Sequence, residues 1–445
     1  MPDALVRDDP KLRNLEMAWS RKQAKEFFNT RVMPATFPGW HAVELTQRRV
    51  RYKPGKECRV HYGLRISDGE HNRGVVATVT FRPGDESDEV AQWHDASNGA
   101  GQRLFIPEYS CLIEFFPADF RLPGLALAAD PALLTEHLRT SAAGRIGTAS
   151  VTRVRTICYR PGFSCVLGYL IESETPGPRE VIGKVYSKDD VASGVRARLE
   201  VLSPQAAEVG LTIPRLLHWS QPDHLVFMER VPGANMDRLL FNASSQDEAL
   251  TTIDLAAEAL ARFHGLQLDV PVTRTFESEY KRMRRRLRRI GRIAGGLARQ
   301  ARDVLADHDV ADMTTPEEDL CVIHSDFKPD QLLVHDGRTS LIDLDGACRG
   351  DPAIDVGNFM AALRKQAVVN GYANFPALAD AFYQGYFARR PSDAIAARAR
   401  AFQGVALVRM TLAKFERTPR SYARQGEAWP WLAVLEEAKR CLAGP

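Results

Sequence analysis

The sequence predicts an α+β protein in which a β-rich half precedes a helical half. Short apolar and alternating runs, broken by Pro-Gly turns, dominate the segment from about residue 41 to residue 231, and such runs are typical of strands. From Met236 onward the apolar residues recur at helical spacing, interrupted by one strand–loop–strand segment at 321–359. A chain of 445 residues exceeds one ordinary core, so we expect two or three domains.

Composition narrows the class of protein. Hydrophobic residues make up 44% and charged residues 26%, as in soluble globular proteins, and the net charge of +3 does not by itself indicate a nucleic-acid or membrane partner. The N-terminal residues lack the apolar core of a secretory signal, and no later run approaches the roughly 18 apolar residues of a membrane span. We therefore expect a cytoplasmic protein. The seven scattered cysteines are predicted to be reduced thiols.

The β-rich half contains an internal repeat. Residues 52–62 read YKPGKECRVHY and residues 159–169 read YRPGFSCVLGY, so five of eleven positions are identical at a constant offset of 107. Each copy predicts a strand, a Pro-Gly turn and a second strand, followed by a third strand at Val75–Phe81 or Val181–Tyr186. We interpret the repeat as a duplicated β-rich lobe, and the alternative is a chance likeness between two β-meanders.

The segment 321–359 organises the helical half. Its first apolar run, 321–323, predicts a buried strand that ends shortly before Asp326. Gln331 then opens a predicted hairpin that ends at Asp343. This arrangement places two carboxylates and an amide oxygen at neighbouring ends of short strands.

Such groups suit phosphoryl transfer, which needs a carboxylate to orient the attacking hydroxyl and oxygen ligands for magnesium. The spacing matches the kinase pattern of His-x-Asp, an amide five residues after the Asp, and an Asp beyond a hairpin. The sequence continues with GDPAID at 350–355. With these three motifs in order, the chain resembles the aminoglycoside phosphotransferase/choline kinase family. Gln331 stands where most of that family has Asn. Maltokinase-like sugar kinases resemble this chain in having Gln at that position.

The resemblance implies a bilobal protein-kinase-like fold, with a small β-rich N-lobe and a helical C-lobe, that uses ATP and Mg²⁺. It implies that Asp326 is the catalytic residue and that Gln331 and Asp343 bind the metal. His324 is expected to brace the catalytic loop against Asp355.

The roles of two charged residues in this segment stay open. Asp345 is either a second metal ligand or a turn former beside Gly346, and the turn is favoured. Lys328 is either a phosphate contact or a solvated loop charge.

A lysine in the second copy of the repeat is the predicted phosphate contact. Lys184 lies within the apolar run Val181–Tyr186, and a buried lysine requires an anionic partner. The resemblance implies that it contacts the nucleotide phosphates and pairs with a helical glutamate. Glu200 is the favoured partner and Glu208 the reserve. The first copy has no lysine in its third strand.

The resemblance covers about residues 146–445 and divides the chain into three domains. We expect an N-terminal cap, a degenerate repeat of the kinase N-lobe, at 1–145, the nucleotide-binding N-lobe at 146–231, and the helical C-lobe with the acceptor pocket at 232–445. At the hinge, the backbone from Met228 to Arg230 is expected to face adenine.

Charge constrains the acceptor. Residues 281–292 carry eight Lys or Arg on a predicted amphipathic helix. Three interpretations of these basic residues stay open: a solvated face paired with acids, a wall that attracts an anionic substrate, or a nucleic-acid-binding patch. From residue 388 to the end, eleven Lys or Arg stand against five Asp or Glu, which does not favour a polycationic acceptor. The favoured partner is a small-molecule hydroxyl acceptor, a sugar or amino sugar, and nucleic acid is disfavoured.

Three other functions remain as alternatives. An antibiotic resistance kinase is the second choice. A pseudokinase or binding module, in which Gln331 marks lost activity, belongs to a different class. Protein phosphorylation is disfavoured because the chain lacks an Ala-Pro-Glu activation segment. The oligomeric state and the choice between ATP and GTP stay open.

Overall fold

The computed structural model describes residues 9, 11–12, 14–83, 102–141, 150–172, 179–270, 273–306 and 313–443. The predicted fold class is confirmed: the protein is α+β, with a β-rich N-lobe and a helical C-lobe of the protein-kinase type, preceded by an additional N-lobe-like unit. All seven cysteines are free thiols. None of the helices in the described part of the chain is long and apolar enough to cross a membrane.

The first unit is a five-stranded antiparallel sheet preceded by short helices. The helices are α1 Glu16–Trp19, α2 Arg21–Phe27 and α3 Met33–Thr36, with a π-helical turn at Phe28–Val32. The strands are β1 His41–Lys53, β2 Glu57–Ser67, β3 Asn72–Phe81, β4 Arg103–Ile106 and β5 Cys111–Phe115. Their order in the sheet is β1-β2-β3-β5-β4.

The second unit has the same strand order, β6-β7-β8-β10-β9. It consists of α4 Leu125–Ala129, α5 Pro131–Ser141, β6 Ser150–Arg160, β7 Ser164–Glu172, β8 Arg179–Tyr186, α6 Asp189–Glu208, β9 Leu216–Ser220 and β10 Leu225–Glu229. The third strands are each two or three residues longer at the start than the sequence predicts, because the polar residues at their beginnings still pair with the neighbouring strand.

The two units also share hydrogen bonds at the Pro-Gly turn. In each unit, an aspartate ahead of the first strand accepts from a tyrosine hydroxyl and from the amide of the turn glycine. The bonds are Tyr52–Asp9 at 2.8 Å and Gly55–Asp9 at 2.7 Å in the first unit, and Tyr159–Asp119 at 2.9 Å and Gly162–Asp119 at 2.7 Å in the second. Both glycines have φ +66, a conformation that glycine adopts most readily. The repeat in the sequence therefore marks a repeated local structure.

The packing of α4 and α5 favours a domain boundary earlier in the chain than the one predicted between residues 145 and 146. Leu134 and Leu138 of α5 share a hydrophobic cluster with Val151 of the second sheet, so α4 and α5 belong to the second unit. The end of β5 is the better boundary. The sequence match starts only at the first strand of each copy, and it therefore does not reveal the helices that precede it.

The helical C-lobe follows β10. Its helices are α7 Met236–Phe241, α8 Gln246–Phe263, α9 Phe276–Gly291, α10 Gly295–Ala306, α11 Ala353–Asn370, α12 Phe375–Arg389, α13 Asp393–Arg417, α14 Pro419–Gln425 and α15 Leu432–Ala443. Its short strands are β11 Ala234–Asn235, β12 Thr273–Arg274, β13 Cys321–Ile323, β14 Leu332–His335, β15 Arg338–Leu341 and β16 Cys348–Gly350. They form two three-stranded sheets, β11-β14-β15 and β12-β16-β13.

The hydrophobic core places the first unit against the C-lobe. Apolar residues of the first sheet share one cluster with α9, α10, α13 and α15, whereas α6 and α8 share another with α11 and α12. Burial of apolar surface is the main stabilising term in such contacts. The first sheet therefore lies beside α13, and its strand β1 lines the same cavity as Asp326.

Candidate active site

The hairpin brings the predicted metal ligands together. β14 and β15 are antiparallel, and the amide of Ile342 donates to the carbonyl of Gln331 at 3.0 Å, so Gln331 lies next to Asp343. Ser325 and Asp343 have positive φ angles of 68° and 63°, which are uncommon for residues other than glycine and cluster at functional sites.

Asp355 supports the loop 324–326 through the backbone. Its Oδ2 accepts from the amide of His324 at 2.5 Å and lies 3.3 Å from Nε2 of His264, whose Nδ1 lies 2.7 Å from the hydroxyl of Tyr386. The His324 ring contacts the carbonyl of Ile342 at 2.9 Å instead. Burial lowers the pKa of His264, although Asp355 opposes this shift. His264, which was not predicted as a site residue, thus belongs to the network that supports this loop.

Lys184 is paired with two aspartates of the hairpin. Its Nζ lies 2.6 Å from Oδ1 of Asp343 and 2.7 Å from Oδ2 of Asp345, and Tyr186 donates its hydroxyl to Asp345 at 2.8 Å. Only 6% of Lys184 is exposed. Asp345 thus lies in a turn, as favoured, and also contributes charge to the site.

These contacts keep both sides of the pair charged. Burial alone would lower the pKa of Lys184, but Asp345 and Asp343 outweigh it and the pKa is raised. Burial alone would raise the pKa of Asp343, but Lys184 and Arg160 outweigh it and lower the pKa to about 2. Asp343 is therefore a carboxylate throughout the neutral pH range.

The expected pairing of Lys184 with Glu200 is wrong in this structure. Glu200 pairs with Arg196, one turn earlier on α6, at 3.4 Å, and its side chain is 46% exposed. The buried face of α6 is set by apolar residues such as Val195 and Leu199, and position 200 points away from it. The reserve, Glu208, is also exposed.

The register of the sheets identifies the counterpart of Lys184 in the first unit. Lys184 pairs with Val166 on the neighbouring strand, and the equivalent pair is Thr80 with Arg59. The hydroxyl of Thr80 accepts from Nε of Arg59 at 3.1 Å. The first unit therefore has a neutral hydroxyl where the second has the buried ammonium group.

The segment Met228–Arg230, which is expected to face adenine, spans the end of β10. Met228 lies within β10 and pairs with Ile182 on β8, and the amide of Glu229 donates to the carbonyl of Arg215 at 3.0 Å. Arg230 is the first residue beyond the strand, and its side chain forms an ion pair with Glu180. Within the predicted segment Met228–Arg230, only Arg230 follows the strand.

Asp326 lies at the mouth of a cleft. Its side chain is 57% exposed and pairs with Lys328 at 2.8 Å. Lys328, whose role the sequence leaves open, is therefore an ion-pair partner of Asp326. The cavity measures about 720 Å³ and lies between β1, the turn after β6, and helices α11 and α13. We call it the Asp326 cleft.

Arg160 connects the cleft to the Lys184 site. It lines the Asp326 cleft, and it is close enough to Asp343 to help lower the pKa of that carboxyl group. Asp343 in turn raises the pKa of Arg160 against the effect of burial. The sequence analysis missed Arg160, although its place in the repeated turn was a usable signal.

The donor set fits a magnesium ion. Asp343, Asp345 and Gln331 supply carboxylate and amide oxygens, which this hard cation prefers, and it commonly binds one or two carboxylates while waters and phosphate oxygens complete its shell. Groups of three or more His, Cys, Asp or Glu arranged for a metal are absent from the described residues, so the protein alone does not complete a shell.

The fold and this site together define the class of protein: a phosphotransferase of the kinase type. The model of the phosphotransferase enzyme family, APH, matches residues 168–402. Because this match covers more than half of the chain, the protein belongs to that family.

Solved structures with a similar fold include three kinases of different kinds. A macrolide 2′-phosphotransferase from Brachybacterium faecium is 17% identical, with a TM-score of 0.42, over 71% of this chain and 98% of the other. The ADP-bound aminoglycoside phosphotransferase APH(2″)-Ib is 14% identical, with a TM-score of 0.46, over 70% and 99%. A choline/ethanolamine kinase family protein from Mesorhizobium loti is 17% identical, with a TM-score of 0.40, over 72% and 92%. A search of curated proteins found no match.

Proposed function

We propose that this protein transfers the γ-phosphate of ATP, with Mg²⁺, to a hydroxyl group of a small molecule, a sugar being favoured. The observation that carries the proposal is the arrangement around Arg160. Arg160 helps to lower the pKa of Asp343, the partner of Lys184, and it also lines the cleft in which the carboxylate of Asp326 is exposed. A nucleotide phosphate and an acceptor hydroxyl can therefore meet near Arg160.

Each side chain has a role in this proposal. Lys184 and Arg160 bind phosphate oxygens, and Arg230 begins the hinge backbone that faces adenine. Gln331 and Asp343 would hold Mg²⁺, which neutralises charge on the phosphates when it is bound. Asp345 is a further oxygen donor and keeps Lys184 in place.

Asp326 orients the acceptor. It accepts a hydrogen bond from the attacking hydroxyl, whose oxygen forms the new bond to the γ-phosphorus as the bond to the β,γ-bridging oxygen breaks. The hydroxyl proton passes to Asp326 and ADP leaves. Positioning and charge neutralisation supply most of the rate in such reactions.

Asp326→Asn tests this assignment. The variant should bind Mg-ATP nearly as the wild type does but lose phosphoryl transfer by roughly a hundredfold or more, because the carboxylate acts on the reacting hydroxyl. Asp330→Asn, an equal charge change that also lines the cleft, is the matched control and should retain most activity. ADP formation across a panel of sugars and antibiotics is the measurement, with nucleotide binding followed by calorimetry. Full turnover in Asp326→Asn would remove the reaction from this loop.

A further inference from the structure

The Asp326 cleft is strongly basic. Ten of its lining residues are Lys or Arg and three are Asp or Glu. The cations come from separate elements, with Arg49 and Arg51 on β1 of the first unit, Lys365 on α11, and Arg417 at the end of α13. Parts of the chain that are far apart in sequence thus present the same charge to one cavity.

The acids of the cleft are already paired. Glu416 lies 2.6 Å from Arg286 and 2.5 Å from Arg289, and Lys328 lies 2.8 Å from Asp326 and 3.8 Å from Asp330. Among the residues that the structure describes, Arg49, Arg51, Lys365, Lys414 and Arg417 have no carboxylate within ion-pair distance. The cleft therefore carries an excess of uncompensated positive charge.

The crowding of like charges is visible in the titration of these groups. Burial lowers the pKa of Arg417, and the neighbouring cations Arg49, Arg286 and Arg160 lower it further. Burial also lowers the pKa of Lys365, as do Lys328 and Arg417, although Asp237 and Asp330 oppose this shift. Partly buried like charges without counterions destabilise the folded protein, and a bound anion would relieve this cost.

Of the ten cations that line the Asp326 cleft, only Arg160 is assigned to the nucleotide phosphates. Lys184, which we assign to the nucleotide phosphates, is not among the residues that line the Asp326 cleft. The cations on β1, α11 and α13 share the cavity with Asp326, the residue assigned to the acceptor. We therefore attribute the positive charge of the cleft to recognition of the acceptor.

We infer that the acceptor is a compact hydroxyl compound that carries a multiply charged anionic group, such as a phosphate monoester, and that β1 of the first unit forms one wall of its binding site. The inference rests on the proposed function. The anionic group lies against Arg417, Lys365 and the β1 arginines, and the free hydroxyl points to Asp326. Guanidinium and ammonium donors suit such a group because hydrogen bonds between opposite charges are the strong ones.

Calorimetry on the full chain saturated with Mg-ADP tests this inference. The probes are glucose, glucosamine, glucuronate, glucose 6-phosphate and inorganic phosphate. We expect glucose 6-phosphate to bind at least about tenfold more tightly than glucose or glucosamine, and its binding to weaken as salt is raised. Tighter binding of glucuronate than of glucose 6-phosphate would overturn the assignment of a multiply charged group, because a carboxylate carries a single charge.

Two cleft variants and one control complete the design. Lys365→Gln and Arg417→Gln should each weaken glucose 6-phosphate binding by about tenfold, whereas Arg285→Gln, an equal charge change on the exposed face of α9, should not. Thermal unfolding shows whether each variant is folded. Equal binding of neutral, cationic and anionic probes, or unchanged binding in both cleft variants, would overturn the inference. Failure of the wild type to bind Mg-ADP would instead contradict the proposed function.

Discussion

Lys184 shows how a single buried charge defines the site. An ammonium group that is 6% exposed is stable only beside anions, and the structure supplies Asp343 and Asp345 from the hairpin. Arriving phosphates would compete for the same ammonium group. The pair therefore holds Lys184 in position near the place where we expect the nucleotide.

The first prediction at this scale separates Asp345 from Glu200. Asp345→Asn removes one of the two charges on Lys184 and should lower kcat/KM for ATP by about tenfold or more. Glu200→Gln removes a half-exposed charge that pairs only within α6, and kcat/KM should stay within about twofold. Steady-state kinetics of the two variants is the measurement. A large loss in Glu200→Gln with none in Asp345→Asn would restore the pairing that the sequence predicted.

The sequence could predict that Gln331 and Asp343 lie next to each other, since spacing and strand pairing fix their positions on the hairpin. It could not predict the partner of Lys184. That partner depends on which face of α6 is buried and on where the hairpin lies relative to β8, and neither is encoded within one short segment. For the same reason the sequence did not show that Asp355 contacts the amide of His324 and not its ring.

At the scale of elements, the turn between β6 and β7 is held by the first unit. The ring of Phe163 lies 3.6 Å from the guanidinium carbon of Arg51, with Lys53 at 5.6 Å and Arg59 at 5.7 Å. Arg59 also donates to the carbonyl of Pro161. Each cation–π contact contributes about 0.5–2 kcal/mol, so the two units are coupled at this turn.

Removing the ring should loosen this turn. In Phe163→Leu, which keeps an apolar side chain, the amides of Gly162 and Phe163 should exchange with solvent roughly five- to tenfold faster than in the wild type. Phe163→Tyr keeps the aromatic face and should exchange as the wild type does. Native-state hydrogen exchange provides the readout. Equal protection in all three proteins would show that the cations do not stabilise the turn.

Strands were the best-predicted elements, because alternating side chains and Pro-Gly turns are local signals. The bounds of β13, Cys321–Ile323, match the prediction. Local sequence signals could not show to which unit the helices α4 and α5 belong. That follows only from the packing of Leu134 and Leu138 on the second sheet. The sequence alone does not show where β10 ends within Met228–Arg230, because that end depends on pairing with Arg215 and Ile182.

At the scale of the whole molecule, the two copies of the β-rich unit share one strand order but carry different charged side chains. Both copies keep the strand order, the Tyr-x-Pro-Gly turn and its aspartate. Only the second copy has a buried lysine facing the hairpin, whereas the first presents Arg49 and Arg51 to the Asp326 cleft. We therefore propose that the second unit binds the nucleotide and that the first forms a wall of the acceptor site.

Calorimetric titration with a non-hydrolysable ATP analogue and Mg²⁺ tests this division most directly. The account predicts one nucleotide per chain, severe loss of binding in Lys184→Ala, where a charge near the phosphates is removed, and normal binding in Thr80→Ala, the equivalent position of the first unit. Circular dichroism would first show that both variants are folded. A stoichiometry near two, or binding that survives Lys184→Ala and is lost in Thr80→Ala, would contradict the account.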